Sequence, residues 1–109
     1  MNVINFYKLL SDPSRLKILL LLQQEELCVC ELMHALEESQ PKVSRNLSEL
    51  KKGKLVIDRK SAQWVFYKLN PDLESWIKNV ITETGKFNSQ LTSTPLSRLD
   101  KMENRPNKF

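Results

Sequence analysis

Glycine, histidine and cysteine are all scarce in this chain, and each shortage removes a class of function. Gly53 and Gly85 are the two glycines and stand far apart, so there is no glycine-rich loop to cradle a phosphate. His34 is the lone histidine, and neither a Ser-His-Asp set nor a carboxylate dyad can be assembled around it. Cys28 and Cys30 are the two cysteines, separated by one residue. Thiol redox enzymes of the thioredoxin type need two intervening residues and a βαβ setting, and both are absent. Catalysis is therefore not expected. The longest apolar run, Ile18 to Leu22, is far below the roughly 20 residues a membrane span requires, and no basic-then-apolar leader precedes it. The expectation is a cytoplasmic protein with no membrane contact. Internal repeats and low-complexity tracts are also missing.

What is present is a single-domain length with a lopsided charge. A chain of 109 residues holds one core, completed here by a partner subunit. Lys and Arg number 17 against 13 Asp and Glu, a formal +4. From Pro41 to Lys60 the basic residues are Lys42, Arg45, Lys51, Lys52, Lys54, Arg59 and Lys60, opposed only by Glu49 and Asp58. Positive charge concentrated in this way suits a nucleic-acid partner.

Helical spacing organises the rest. Val3, Ile4, Phe6, Tyr7 and Leu10 form a short amphipathic segment closed by Ser11-Asp12-Pro13, an N-cap and first-turn proline that open a new helix. That second helix, about Pro13 to Gln24, is apolar on nearly every face and should be the spine of the core. A third helix is expected from about Cys28 to Glu37, with Val29, Leu32, Met33 and Leu36 on its inner face. Ser39 caps a fourth, with Pro41 in its first turn and Gly53 past its last. Its stripe of Val43, Leu47 and Leu50 leaves Pro41, Ser44, Arg45, Ser48 and Lys52 on the opposite, small and cationic face. Leu55–Lys60 and Trp64–Leu69 read as a β-hairpin joined by Ser61-Ala62-Gln63. A last helix from about Pro71 to Leu91 carries Leu73, Trp76, Ile77, Val80, Ile81, Thr84 and Phe87, a stripe too long for the domain to cover, so self-association is expected. The sum is a mainly α chain with a β-hairpin wing. Residues 1–92 form a homodimeric winged helix-turn-helix with flanking dimerisation helices, and residues 93–109 form a polar, flexible C-terminal tail. The dimer interface is assigned to Ile4, Tyr7, Leu73, Trp76, Ile77 and Val80.

Four segments in order resemble one family. They are Leu10-Ser11-Asp12-Pro13-Ser14-Arg15-Leu16, Glu26-Leu27-Cys28-Val29-Cys30-Glu31-Leu32, Ser39-Gln40-Pro41-Lys42-Val43-Ser44-Arg45-Asn46-Leu47 and Trp64-Val65-Phe66-Tyr67-Lys68-Leu69. The chain is similar to the arsenical-resistance repressors of bacteria, the arsenic-sensing branch of the ArsR/SmtB metalloregulators. That resemblance implies a dimeric repressor on a pseudo-palindromic operator, with no cofactor when bound to DNA, released when As(III) or Sb(III) binds Cys28 and Cys30. Three departures stand out: Met33 replaces a third cysteine found in some relatives, Asn46 replaces a common histidine of the reading helix, and the wing turn has no glycine.

Trivalent arsenic favours three soft ligands in a pyramid, and thiolates are the soft ligands proteins offer. In a regular helix, residues two apart point roughly 200° away from each other, so capture by both sulfurs must deform the turn that carries them. The plain alternative is that the two cysteines are packing residues, one in and one out. His34, one turn after Cys30, is an extra candidate ligand and could pair with it on zinc. A thiol-redox-responsive or zinc/cadmium-responsive repressor of the same fold is the alternative function, although the last helix lacks the histidines that zinc-sensing relatives use. For DNA contact the candidates are Gln40, Lys42, Ser44, Arg45 and Ser48, with Arg45 placed to read a guanine edge or clamp a phosphate. Lys51, Lys52, Arg59 and Lys60 are phosphate contacts. Trp64, Phe66 and Tyr67 are packing residues of the hairpin.

Overall fold

Two side-chain caps set the corner from which the fold grows. The computed structural model describes residues 2–108; Met1 and Phe109, the outer limits of the expected domain and tail, lie outside the described residues. Helix α1 (Val3–Leu10) begins where Asn2 Oδ1 accepts the Ile4 and Asn5 N–H groups at 2.9 and 3.1 Å. Helix α2 (Pro13–Gln24) begins where an Asp12 oxygen accepts the Arg15 N–H at 2.8 Å. Arg15 then donates to the last carbonyls of α1, Leu9 O at 2.7 Å and Lys8 O at 3.0 Å, so one side chain fastens the two helices at the end where α1 carries partial negative charge.

Helix α2 is the spine the sequence leads one to expect. Ile18, Leu19, Leu20, Leu21 and Leu22 are all buried, because α1, the reading helix, the last long helix and the wing each pack on a different side of it. Phe6 of α1 is fully buried in the same cluster with Leu32, Leu47, Leu50, Ile77 and Ile81.

The chain after α2 departs from expectation. Leu27–Cys28 form a short strand, β1, and Cys28 is the extended N-cap (φ −94°, ψ 172°) of helix α3 (Val29–Leu36) rather than part of it. A two-residue strand has no periodicity to read. It exists because its partner offers a free edge. Helix α4 (Gln40–Lys52) follows, capped by Ser39 and stopped at Gly53 as its sequence indicates. Strands β2 (Val56–Ser61) and β3 (Trp64–Leu69) form the hairpin, and β1 joins β3 to give the sheet order β1-β3-β2. The register pairs Val56 with Leu69 and Ser61 with Trp64 in the wing, and Leu27 with Tyr67 and Cys28 with Phe66 on the other edge. Where a glycine would be at ease in the wing turn, Ala62 adopts φ 55°.

Helix α5 runs Ser75–Phe87, later than the expected start at Pro71, because Asn70 Oδ1 accepts the Asp72 N–H at 2.9 Å and turns the chain first. Ile77 and Ile81 face the chain's own core at 1 % exposure. Ile77, expected at the interface, is buried within its own chain. At Gly85 a β-carbon would sit 3.1 Å from Gln23 Oε1 and 3.5 Å from Leu20 Cδ2, so the missing side chain lets α5 approach α2. The segment expected to be a loose tail instead continues through a 3-10 turn (Ser89–Leu91) into helix α6 (Ser93–Lys101). Pro95 and Leu99 are buried, and α6 packs along α3. Its apolar residues find cover on the helix that carries Cys30.

Candidate nucleic-acid interface and thiol site

The turn between α3 and α4 aims the reading helix. Glu37 closes α3 in the left-handed conformation (φ 53°) and its N–H donates to Met33 O, as does that of Glu38 at 3.2 Å. The Ser39 hydroxyl accepts the Lys42 N–H at 3.4 Å, so α4 starts three residues after α3 stops. Val43, Leu47 and Leu50 are buried beneath α4, and so is Asn46, at 5 % exposure. Asn46 therefore lies on the inner face of α4.

Of the expected DNA-contacting residues, Gln40, Lys42, Arg45, Ser48 and Lys52 share the exposed face of α4, and Lys60 is exposed on β2. Ser44 is half-buried and accepts a hydrogen bond from Gln40 Nε2 at 2.8 Å. Lys42 pairs with Glu38 at 3.1 Å and Lys52 with Glu49 at 3.8 Å, weak surface contacts that a phosphate can replace. Lys51 reaches back to Asp58 of β2 at 2.9 Å, and that partner raises its pKa. Arg59 differs from the others. It forks onto Glu26 at 2.8 and 2.6 Å, donates to the Lys108 carbonyl at 2.6 Å and lies 5.0 Å from the centre of the Phe66 ring. Its guanidinium is engaged by its own chain although the side chain is 38 % exposed, and the Glu26 carboxyl is held below its ordinary pKa by the Arg59 hydrogen bond.

The two thiols sit where β1 becomes α3. Cys28 is buried and Cys30 is exposed, so the structure gives the one-in, one-out arrangement. Cys28 occupies the cap position of a capping box: its N–H donates to Glu31 Oε1 at 3.0 Å. Burial pushes the Cys28 thiol above its ordinary pKa, and the Glu31 charge adds to the rise.

Glu31 is the residue the sequence reading passed over. Its side chain is fully buried, yet Oε2 receives Arg105 Nε at 2.6 Å and Lys108 Nζ at 2.8 Å, while Arg105 Nη2 also reaches Glu25 Oε1 at 2.9 Å. Burial alone would raise the Glu31 pKa. Lys108, the Cys28 N–H and Arg105 outweigh it and hold the carboxylate ionised, below the usual range. The signal was available in part, since a glutamate three places after a cap residue is a capping-box spacing, with cysteine in the place of serine. The two cations were not findable, for they lie more than seventy residues away.

Exposed apolar side chains gather on α1 and α5. Ile4 and Tyr7 are 60 % and 51 % exposed, and Trp76 is 36 % exposed against Phe6 in an edge contact of 5.3 Å. Leu73 and Val80 are half-buried nearby on the chain. His34 is exposed on α3.

A capped reading helix with a cationic outer face and a two-stranded wing beside it define a winged helix-turn-helix regulator of transcription that binds DNA. The sequence profile of "Bacterial regulatory protein, arsR family" matches residues 12–58. The arsenic resistance transcriptional regulator ArsR2 of Pseudomonas putida is 46 % identical over 101 residues, spanning 92 % of this chain and 88 % of that protein. The arsenical resistance operon repressor of Escherichia coli is 47 % identical over 84 residues, 76 % of this chain and 72 % of its own. Among solved structures, the homodimeric winged helix-turn-helix domain of Mb0332 from Mycobacterium bovis superposes with a TM-score of 0.67 at 26 % identity, covering 81 % of this chain and 79 % of that one. The chain belongs to the ArsR family of bacterial regulators. It is a transcriptional repressor and not an enzyme, as its relatives are. Among the described residues no helix is long and apolar enough to cross a membrane.

Proposed function

We propose that this repressor holds a pseudo-palindromic operator through α4 and the wing, and lets it go when As(III) or Sb(III) binds Cys28 and Cys30. The observation that carries the proposal is that the chain's only two thiols sit at the N-cap and the second residue of α3, the helix that precedes the reading helix. Relatives named for arsenic resistance add to it. The donor set fits a soft metalloid, since both groups are free thiols. Capture by both requires the buried Cys28 to turn toward the exposed Cys30. That movement pulls the Cys28 N–H off Glu31 and distorts the start of α3, so the free energy of the sulfur bonds opposes the geometry that presents α4. His34, one turn from Cys30, is a candidate extra ligand.

In the DNA-bound state, Arg45 reads or clamps from the middle of the exposed face, helped by Gln40, Lys42, Ser44 and Ser48, while Lys52 and Lys60 lie toward the phosphates. Arg59 orients the wing through Glu26 and is a further candidate for a phosphate contact. Weakening the operator complex about a thousandfold requires the metalloid to prefer the released form by about 4 kcal/mol, and DNA must weaken metalloid binding equally.

The test is a titration of the operator complex with arsenite, antimonite, zinc and cadmium in anaerobic reducing buffer. Stoichiometric release by arsenite or antimonite is expected, with Cys28→Ser and Cys30→Ser proteins binding DNA normally but ignoring the metalloid. A Cys30→Ser protein that leaves DNA at the wild-type arsenite dose would falsify the two-thiol mechanism.

A further inference from the structure

The segment after α6 has no regular structure of its own, yet it ties together parts of the molecule that stand far apart in the chain. Residues 102–108 leave the helix at Met102, turn at Asn104 in the left-handed region (φ 61°) and run on to the junction of β1 and α3. Arg105 forks there onto Glu31 at 2.6 Å and Glu25 at 2.9 Å. Lys108 Nζ reaches the same Glu31 oxygen at 2.8 Å, while the Lys108 carbonyl accepts Arg59 Nη2 of β2 at 2.6 Å. Arg59 in turn holds Glu26, the residue before β1. Glu31 joins this network to a cysteine, because its other oxygen accepts the Cys28 N–H at 3.0 Å. The ring of Phe66, the strand partner of Cys28, lies 5.0 Å from the Arg59 guanidinium and 5.9 Å from Lys108 Nζ.

What holds the segment decides how it behaves. Met102 packs against the apolar core at one end, and beyond it the anchors are ion pairs in which every member except Glu31 is partly open to water. Water and salt can replace such contacts, so a segment held by them opens locally, at far less cost than the fold as a whole. Opening takes both cations from Glu31. A buried carboxylate left unpaired is costly, and it relaxes by turning toward water and giving up the Cys28 N–H.

We propose that residues 102–108 are a strap that latches the thiol turn to the wing, with Glu31 as its catch. Shut, the strap keeps the Cys28 sulfur inside the protein; open, it exposes that sulfur and frees Arg59 from the Lys108 carbonyl in one movement. Arg105 and Lys108 are positioning residues that act through Glu31, and the opening needs no ligand. Its meaning for metalloid capture rests on the proposed thiol site: Cys28 is reached through the open strap, and the wing loosens as it is.

The strap is tested without metalloid on the full Cys30→Ser chain, in which Cys28 is the sole thiol, by its rate of reaction with uncharged N-ethylmaleimide. Slow labelling is expected, speeded about tenfold or more by Lys108→Ala and by Arg105→Ala, each of which removes a charge-assisted hydrogen bond. Lys108→Arg should keep the slow rate. Arg59→Ala, on the wing, should also speed labelling, whereas Lys101→Ala, an exposed cation at the end of α6, should not. Removing cations beside Glu31 would by itself disfavour the Cys28 thiolate and slow the reaction, so acceleration reports exposure. Two further measurements need no strap variant. Added salt should speed labelling of the Cys30→Ser chain, and low urea should hardly change it, since a local opening exposes little surface. A rate unmoved by salt and by the Lys108, Arg105 and Arg59 changes, or one that climbs steeply from the first addition of urea as global unfolding does, would overturn the strap. A protein that labels as expected but ignores arsenite sinks the thiol-site reading and leaves the strap standing.

Discussion

A fully buried carboxylate facing two cations makes Glu31 the most consequential side chain beside the two thiols. Replacing it with glutamine keeps the shape but takes the carboxylate from Lys108 and leaves Arg105 with Glu25 alone. Breaking a buried ion pair from one side typically destabilises by about 3–5 kcal/mol, and Glu31→Gln is expected at the lower end, measured by urea unfolding. The pH dependence follows from the direction of the Glu31 shift. Its folded pKa lies below the unfolded value of about 4.3, so the unfolded chain binds more protons below that value. The stabilisation is complete above about pH 5 and is lost as pH falls through the folded pKa. The wild-type midpoint should drop on acidification, and the Glu31→Gln midpoint should drop less. A parallel fall in both proteins would remove Glu31 as the cause. On the reading face, Arg45→Ala should weaken operator binding by about 1–3 kcal/mol with relaxed preference at one base pair, checked by fluorescence anisotropy on wild-type and single-base-changed operators. Arg59→Ala should act on stability of the wing as well, since its guanidinium is engaged by Glu26 and Lys108.

Among elements, helix α6 shows where sequence reading runs out. The caps at Asp12 and Ser39, the all-round apolarity of α2 and the stripe Val43-Leu47-Leu50 are local signals, and the structure keeps each of them. Ser93–Lys101 offers only Pro95, Leu96 and Leu99 among polar neighbours, with no side-chain cap. Its order comes from α3, and that contact is tertiary. The same holds for β1, which exists through β3, and for Ile77, whose place in an apolar stripe cannot say whether the cover comes from its own chain or another. The reading face was legible because amphipathic spacing is local; the clasp on Glu31 was not, because Arg105 and Lys108 meet it only after the chain has folded. A direct measure of the contribution of α6 is Leu99→Ala. Leu99 is 1 % exposed in the core cluster, and removing it should lower stability by about 2–4 kcal/mol, visible in thermal unfolding. A surface-like change below half a kilocalorie would return the segment to the status of a loose tail. In the wing, Ala62→Gly relieves a positive φ, and the expected gain is small, about 0.5 kcal/mol, because glycine also loosens the unfolded chain.

For the whole molecule, the proposed seat of the dimer is the apolar patch on α1 and α5, where Ile4, Tyr7 and Trp76 are exposed. Tyr7→Ala combined with Trp76→Ala removes exposed rings while leaving Phe6 and Ile77 in the core, and sedimentation should then shift from dimer toward monomer. Operator binding should weaken with it, since half-sites one helical turn apart are held by two copies. If the dimer forms roughly 6–10 phosphate contacts, affinity should fall by about 10³ to 10⁵ between 50 and 200 mM salt. A shallow salt dependence would argue against DNA as the partner of the basic face.

The placement of α2 carries one last consequence. Because α1, α4, α5 and the wing all lean on this single rod, and α3 packs on α4, the thiol-bearing turn and the DNA-reading helix belong to one packed body. The amides of α2 should be the slowest to trade their protons for deuterium. Those of α4 and α5 should approach the same limit, so that the molecule melts as one cooperative block whether the disturbance begins at a cysteine or at the promoter.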